Sequence, residues 1–369
     1  MPMTAPSFPA FCNRCGNRRS PQARFCRYCG NAFQHWQATA TKSIPSTEVG
    51  VKAVQRSIKW RYWFALTLVL FIGARLSLKP LMGLVLGGLN FSNAPIAGTP
   101  NQSPPNQRLA TGQTLRIHVI DVDQGDSILI QTPQGMNALI DGGYDNGLAL
   151  EYLHQQGIQR IDHMIVSHPH ADHIGGLVEV LNSLEVGSIW TSGAVHSTSY
   201  FENLLDAIDR QQVPYREVKT QESIPLGDLS LLVVRSEPQA GDLNDTSLIL
   251  RLEYGQFSML FTGDAEASSE VDVLQTTPNL LPATVLKVGH HGSYTSTTPA
   301  FALAVDPTLA IYSAGRNNSY GHPHQQTLTT LCNLGATVYG TDRHGTVVIT
   351  SDGLEYQVQT AQRTTALCH

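Results

Sequence analysis

Four side chains that can bind metals lie within six residues in the segment His168-Pro169-His170-Ala171-Asp172-His173. Imidazole and carboxylate suit zinc, iron or manganese, and two close metals can share an activated water. We predict that His168 and His170 bind one divalent metal and that Asp172 and His173 bind a second beside it. Asp172 is therefore also predicted to be essential for catalysis.

The chain around this segment predicts a layered α/β domain. The segment follows an apolar run that predicts a buried strand and precedes a predicted helix, so its side chains can converge from one loop. From Thr114 onwards, short apolar runs alternate with helical stretches, which is typical of layered α/β domains. The predicted strands cover residues 115–120, 127–131, 137–140, 161–167, 188–191, 229–234, 247–253, 257–261, 284–288, 309–313, 337–339 and 346–350.

Six further segments carry polar residues and glycines beside the predicted strands. They are Asp121–Ser127, Ile140–Gly143, Asn244–Leu248, Phe261–Asp264, Val288–Ser293 and Tyr320–Pro323. Together with the histidine-rich segment they resemble the metallo-β-lactamase superfamily. More narrowly, they resemble the extracytoplasmic domain of the late-competence ComEC proteins. The resemblance covers residues 114–355 and implies an αβ/βα sandwich with two metals, zinc or manganese, at one edge between the sheets.

The resemblance implies roles for three later residues. Asp264 matches the bridging aspartate, which contacts both metals. His290 matches the last metal ligand, and we favour it over His291. His291 is the alternative ligand or a residue that contacts the substrate.

One departure from the superfamily pattern affects the ligand count. The superfamily has a further histidine ligand between the first cluster and the bridging aspartate, but no histidine occurs between His196 and His290. Asn244 and Ser247 occupy the matching place. We expect them to contact the substrate or to support the metal ligands. One metal is therefore expected to have fewer protein ligands, which also leaves its identity open.

Five other residues are expected near the metals. Asp123 and Asp126 could line the entrance or orient ligating histidines, or could form an Asx turn. Asp141 is expected to orient a ligating histidine, and Ser293 to support the site or contact substrate. His322 could donate to a phosphate oxygen or protonate a leaving group; the alternative is a histidine on a surface loop.

The N-terminal region contains two Cys-x-x-Cys pairs. Their four thiolates predict a structural zinc in a ribbon over residues 11–31. Two disulfides are the alternative, but a disulfide within Cys-x-x-Cys is strained. The four predicted ligands are Cys12, Cys15, Cys26 and Cys29.

An apolar stretch after the ribbon predicts a single transmembrane helix over residues 60–79, or up to 89. A buried or interfacial helix is the alternative. Four basic residues (Lys52, Arg56, Lys59 and Arg61) lie before or at the start of the span and two (Arg75 and Lys79) lie at its end, which predicts a cytoplasmic ribbon and an extracytoplasmic hydrolase domain in the cell membrane. Residues 90–113 are rich in Asn, Pro, Gln, Gly and Ser, a composition that predicts a flexible linker.

Charge divides the chain into two parts. Residues 1–111 carry 13 Lys and Arg and one acidic residue, a net charge of +12, whereas residues 112–369 carry 11 Lys and Arg and 28 Asp and Glu, a net charge of −17. The resemblance implies hydrolysis of a phosphodiester or nucleic acid, but this acidic part repels long polyanions. The alternatives are a hydrolase of a small ester (a phosphoester, a choline-bearing cell-wall group or a β-lactam) and a non-catalytic membrane sensor.

Overall fold

The structure is a computed structural model that describes residues 114–368. The predicted zinc ribbon, transmembrane helix and linker lie outside the described residues. Among the helices of residues 114–368, none combines the length and the apolar character needed to cross a membrane.

Fifteen strands and seven helices are present in the described part of the chain. The strands are β1 (Leu115–Val119), β2 (Ile128–Gln131), β3 (Asn137–Ile140), β4 (Arg160–Val166), β5 (Glu185–Thr191), β6 (Tyr215–Glu217), β7 (Ser223–Leu226), β8 (Leu229–Arg235), β9 (Ile249–Tyr254), β10 (Phe257–Phe261), β11 (Val285–Lys287), β12 (Leu309–Tyr312), β13 (Thr337–Gly340), β14 (Val347–Ser351) and β15 (Tyr356–Thr360). The helices are α1 (Leu148–Gln155), α2 (Ala171–Ser183), α3 (Ser199–Gln211), α4 (Ala267–Thr276), α5 (Pro299–Val305), α6 (Gln325–Asn333) and α7 (Thr341–His344).

The strands form two mixed sheets. The first has the order β15-β14-β1-β2-β3-β4-β5-β6 and the second has the order β13-β12-β11-β10-β9-β8-β7. In the first sheet, β3 to β6 run parallel and the other pairs are antiparallel. In the second, β10 to β13 run parallel and β7 to β10 pair antiparallel.

Three apolar clusters arrange the elements in four layers. The first cluster contains side chains of both sheets, such as Ile117 and Met259, and fills the space between them. The second packs α1, α2 and α3 against the first sheet, and the third packs α4, α5 and α6 against the second sheet. Strands covered on both faces read as continuous apolar runs, and β12 is buried throughout. The predicted αβ/βα sandwich is confirmed.

The described fold exceeds the predicted boundaries in two respects. Three edge strands, β6, β7 and β15, were not predicted. No residue of β6 or β15 is buried, and β7 alternates exposed and buried residues but is only 4 residues long and contains Pro225. The folded region also continues past residue 355, since β15 pairs along β14 and a disulfide joins Cys332 on α6 to Cys368.

The start of α2 packs closely on the loop after β3. A Cβ on Gly176 would overlap the carbonyl oxygen of Gly142, and a Cβ on Gly175 would lie 2.7 Å from the backbone nitrogen of Asp145. Larger residues at these two positions would push α2 outwards, and α2 carries the metal-binding segment at its N-terminus. The two glycines therefore hold this segment at the edge of the sheet.

Buried His118 on β1 should make the free energy of unfolding depend on pH. Its side chain is fully buried between Tyr152 Oη (2.8 Å) and Gln131 Oε1 (3.0 Å). Burial, assisted by the charge of Arg116, lowers the pKa of His118 from 6.5 to about 4. Above pH 6.5 neither state binds this proton; between pH 6.5 and 4 only the unfolded chain does, so stability is lost as the pH falls.

We expect His118→Gln to reduce this loss. The fall in unfolding free energy of the metal-free protein between pH 7 and pH 5 should shrink by up to about 2 kcal/mol. Urea unfolding at the two pH values in the presence of a chelator measures it, with the exposed His154→Gln as the matched control. An unchanged pH dependence in His118→Gln would contradict the prediction.

Candidate metal centre

The predicted metal ligands within the described residues meet at one edge of the sandwich. Asp141 follows β3, His168 follows β4, Asp264 follows β10 and His291 follows β11. Because β3 and β4 are parallel, as are β10 and β11, the carboxyl ends of each pair lie at the same edge. Loops from both sheets thus bring their side chains to one place.

Asp264 is at the centre of this group. Its Oδ2 lies 3.2 Å from His173 Nε2, 3.3 Å from His291 Nε2 and 3.7 Å from His168 Nε2. The carboxylate is buried, and it contacts histidines contributed by both sheets. It occupies the position that the bridging role requires.

The ligand atoms form two groups that meet near this carboxylate. His168, His173 and Asp264 offer atoms within 4.8 Å of one another, and so do Asp172, His173 and His291. His170 joins the first group, since its Nδ1 lies 2.9 Å from His168 Nε2. The arrangement therefore has room for divalent metals on both sides of Asp264.

Unpaired buried atoms provide a test of whether metals fit here. Within residues 114–368, Asp264 Oδ1, His173 Nε2 and His291 Nε2 are buried and make no hydrogen bond. The two nitrogens lie close to the carboxylate, but the geometry is not that of a hydrogen bond. Unpaired buried polar atoms are unfavourable, and a cation between them would satisfy all three. The donor set of imidazoles and carboxylates suits a divalent transition metal.

The ionisation of the side chains at this centre also favours a positive charge between them. Burial alone would raise the pKa of Asp264, but the neighbouring His173 and His291 outweigh it and hold the pKa well below its usual range. Burial would lower the pKa of His291, but Asp264 and Asp172 raise it to about 10. The buried carboxylates thus stabilise positive charge between them, whether it is carried by protons or by metals.

Asp141 orients one of the histidines, as expected for a support of a ligand. It contacts His173 Nδ1 at 2.9 Å, leaving Nε2 to face Asp264. Its own oxygens accept from the backbone nitrogen (2.8 Å) and the hydroxyl (2.6 Å) of Ser167. A carboxylate on the second ring nitrogen is a common partner of metal-ligating histidines.

The structure distinguishes His291 from His290, for which the sequence left two interpretations open. His291 is buried, its Nδ1 lies 3.0 Å from the carbonyl oxygen of Ser313, and its Nε2 lies 3.3 Å from Asp172 Oδ2. His290 is partly exposed, and its Nδ1 faces Glu266 Oε1 at 3.0 Å. The geometry therefore favours His291 as the ligand and not His290, which we had preferred.

The physical reason is a strained turn that separates the two rings. Both residues have positive φ angles, 45° for His290 and 54° for His291, which side chains larger than glycine rarely adopt. This turn directs His291 inwards and leaves His290 at the cavity wall. Strain of this kind is common at functional sites.

A buried lysine behind the centre was not predicted. Lys287 at the end of β11 is fully buried, and its Nζ lies 2.8 Å from Asp126 Oδ2. Asp126 Oδ1 in turn lies 3.6 Å from His291 Nδ1. Asp126 thus lies beside His291 without a hydrogen bond to it, and its role as a support of a ligating histidine stays a prediction, whereas Asp123 is exposed and does not line the cavity. The sequence signal that could have revealed this lysine is its place within an apolar strand, shortly before two histidines.

A cavity of about 290 Å³ opens over the candidate ligands. Its lining includes seven residues that the sequence analysis placed in the site: His170, Asp172, Asn244, Asp264, His290, His291 and His322. It also includes residues that were not predicted: Gln124, Tyr144, Ala171, His196, Thr198 and Tyr320. Ser247 and Ser293 do not line it. Ser247 Oγ accepts from the backbone nitrogen of Asp264 (3.0 Å), and Ser293 Oγ contacts Thr295 Oγ1 (2.9 Å).

An αβ/βα sandwich with clustered histidines and carboxylates at one edge defines a metal-dependent hydrolase. The family profile described as Metallo-beta-lactamase superfamily matches residues 120–316. The chain belongs to this superfamily, and the superfamily resemblance seen in the sequence is confirmed.

Curated relatives narrow the resemblance. The chain is 34% identical over 251 residues to ComE operon protein 3 of Bacillus subtilis (strain 168), covering 63% of this chain and 32% of that protein. It is 27% identical over 282 residues to Competence protein ComA of Neisseria gonorrhoeae, covering 75% and 36%. The chain thus spans about a third of the length of each. A solved diphosphatase from the PhnP family has 17% identity and a TM-score of 0.41, covering 64% of this chain and 98% of its own.

Proposed function

We propose that this chain is a metal-dependent phosphodiesterase or nuclease with two divalent metals. The observation that carries the proposal is the pair of donor groups that meet at Asp264 beneath an open cavity. When bound, the metals supply a nucleophile from water at neutral pH and neutralise charge that develops on the phosphoryl oxygens. The resemblance of the sequence segments to the ComEC domain implies a phosphodiester substrate.

The cavity wall favours a phosphoryl group. His196, His290 and His322 line it in addition to the candidate ligands. An imidazole can donate a hydrogen bond from a ring N–H, which suits the oxygens of a phosphodiester. Within residues 114–368 no lysine or arginine lines this cavity, so charge neutralisation there is assigned to the metals.

Size and charge favour a small phosphodiester or a short stretch of nucleic acid. The cavity volume is at the lower end of those of small-molecule sites. The net charge of −17 on residues 112–369 opposes binding of a long polyanion, which depends largely on lysine and arginine contacts to phosphates. We therefore expect cleavage of oligonucleotides to weaken as their length increases.

His322 is proposed to donate a hydrogen bond to a phosphoryl oxygen. Tyr320 stacks on its ring, and its buried Nδ1 has no partner within the described residues. Burial, with the nearby His291 and His290, lowers the pKa of His322 to about 4. The ring is therefore neutral at pH 7, which favours donation of a hydrogen bond over protonation of a leaving group.

Replacing His322 should therefore weaken catalysis without loss of metal. We expect His322→Phe to lower kcat/KM about 10- to 100-fold for a phosphodiester, as for loss of one positioned donor, and His322→Asn to retain part of the activity. Manganese affinity should stay unchanged in both. If His322 instead protonated the leaving group, the wild-type rate would fall as the pH rises from 4 to 6. This fall would disappear in the His322→Phe variant. That result would contradict the proposal.

The direct test is hydrolysis of bis-p-nitrophenyl phosphate by the full chain. Metal-free protein should be inactive, manganese or zinc should restore activity, and Asp172→Ala should abolish it. Asp206→Ala, an exposed aspartate on α3, is the matched control and should retain full activity. No cleavage with either metal would overturn the proposal. Cleavage of a β-lactam or a choline ester in its place would support a small-ester hydrolase, and bound metal with no hydrolysis would support a sensor.

We also propose that residues 60–79 anchor the chain in the cell membrane, with the zinc ribbon in the cytoplasm and the hydrolase domain outside. The disulfide between Cys332 and Cys368 supports the second part, because disulfides persist mainly in oxidising compartments. Protease added to intact cells should digest residues 114–369. Complete protection would overturn this orientation.

A further inference from the structure

The turn that begins at Asn244 packs directly on the segment of Asp264. Ser247 Oγ accepts from the backbone nitrogen of Asp264 (3.0 Å), and Asp245 Oδ1 accepts from the backbone nitrogen of Glu266 (3.1 Å). Asn244, in the 3-10 turn Asn244–Thr246, is therefore held at a defined place beside the bridging aspartate. Its side chain lines the same cavity as Asp264 and His170.

The amide of Asn244 has a defined orientation. Its Nδ2 donates to Glu266 Oε1 at 3.3 Å. Glu266 Oε1 is held in place, because it also accepts from Thr295 Oγ1 at 2.9 Å. A carboxylate only accepts hydrogen bonds, so the NH₂ group of the amide must face Glu266 and the oxygen must face away from it.

The oxygen of this amide lacks a partner. Asn244 Oδ1 is buried and accepts no hydrogen bond within residues 114–368. A buried carbonyl oxygen without a partner is unfavourable. Of the other buried atoms without partners on this cavity, Asp264 Oδ1 and His291 Nε2 belong to the candidate metal centre, and His322 Nδ1 belongs to the proposed substrate contact.

The two groups of candidate ligands are unequal. His173 Nε2 belongs to both groups but can bind only one metal, and we assign it to the side of Asp172, as the sequence predicts. Asp172, His173, His291 and Asp264 then provide four donors on one side, whereas His168, His170 and Asp264 provide three on the other. We propose that Asn244 Oδ1 is the fourth protein ligand on this second side and that this oxygen favours manganese over zinc there. Amide and carboxylate oxygens suit manganese, whereas imidazole suits zinc. The inference rests on the proposed two-metal function and assigns a residue to it.

The test is manganese binding to the metal-free full chain, measured by calorimetry. The wild type should bind two manganese ions at the hydrolase centre. Manganese is used because the cysteine thiolates of the predicted ribbon favour softer metals. A zinc titration would also include binding at the ribbon. We expect Asn244→Leu to weaken one of the two sites at least about tenfold, a loss at least as large as that for a supporting residue. Two sites of wild-type affinity in this variant would overturn the inference.

A charge-swapped double variant (the swapped pair) distinguishes the role of the oxygen at position 244 from the role of the hydrogen bond between Asn244 and Glu266. Asn244→Asp with Glu266→Gln retains the oxygen, the hydrogen bond and the total charge, so it should bind two manganese ions, as should Glu266→Gln alone. A loss in the swapped pair equal to that of Asn244→Leu would overturn the inference. Thermal unfolding in a chelator checks that each variant folds, and the swapped pair remains informative if Asn244→Leu does not.

Two further variants complete the test. In a mixture of equal manganese and zinc, Asn244→His should shift the metal bound to the second side towards zinc by at least about tenfold. His196, whose ring lies 5.8 Å from that of His170, is the competing candidate for the fourth position. The His196→Gln variant should bind both manganese ions. If it bound only one while the Asn244→Leu variant bound both, the inference would be overturned. Two bound metals without phosphodiester cleavage would refute the proposed function and leave this inference in place.

Discussion

Asp264→Asn is expected to abolish metal-dependent hydrolysis. Asp264 is the carboxylate that contacts His168, His173 and His291 together, so its charge acts on both proposed metals. The substitution retains the shape of the side chain and removes the charge. We expect kcat/KM for bis-p-nitrophenyl phosphate to fall at least about 10⁴-fold, roughly 5 kcal/mol of transition-state stabilisation.

Metal binding distinguishes this effect from general damage to the fold. Calorimetry with manganese should show weakened binding at both sites in Asp264→Asn, whereas Asp172→Ala should weaken chiefly one. The exposed Asp206→Ala should match the wild type in both measurements. Activity of Asp264→Asn above about one hundredth of the wild type would contradict the bridging role, since loss of one charge at a shared position affects both metals.

His291→Ala and His290→Ala should differ by about two orders of magnitude in their effect. His291 Nε2 lies 3.3 Å from both Asp172 Oδ2 and Asp264 Oδ2, so its loss removes a proposed ligand. We expect kcat/KM to fall about 10³-fold with a parallel loss of manganese affinity. His290 lies at the cavity wall against Glu266, and its loss should lower kcat/KM about tenfold or less.

The comparison of the two variants is informative because each is the other's control. They are neighbours on the same strained turn, so damage to the turn would affect both alike. A larger loss of manganese affinity in His290→Ala than in His291→Ala would reverse the assignment of the ligand. Equal losses would mean that the turn itself, and not one ring, holds the metal.

Much of the first cluster and of the surrounding strands could be predicted from sequence. Residues 168–173 span the loop after the apolar strand β4 and the first turn of α2, so local spacing alone predicts that their side chains converge. The buried strands β10 and β12 were predictable because both faces are covered, so that β12 is continuously apolar and β10 carries only Ser258 among apolar residues. The edge strand β15 was missed because its side chains are only partly buried.

The ligand at the turn after β11 was decided by the tertiary structure. Adjacent histidines are equivalent in a sequence pattern, and the positive φ angles that separate His290 from His291 depend on how this turn packs. The sequence-based preference for His290 rested on the resemblance to the superfamily. The carbonyl of Ser313, which fixes His291, comes from a distant segment and has no signature in the local pattern.

The sequence by itself determined the chemistry of this protein: the metal-binding side chains, the strands that end beside them and the superfamily to which they belong. Only the tertiary structure decided which distant groups meet: Lys287 with Asp126, Asn244 with Glu266, and Cys332 with Cys368. The physical reason is that periodic burial is a local property of the chain. Contacts between polar groups on separate loops depend instead on strand register and on how two sheets pack.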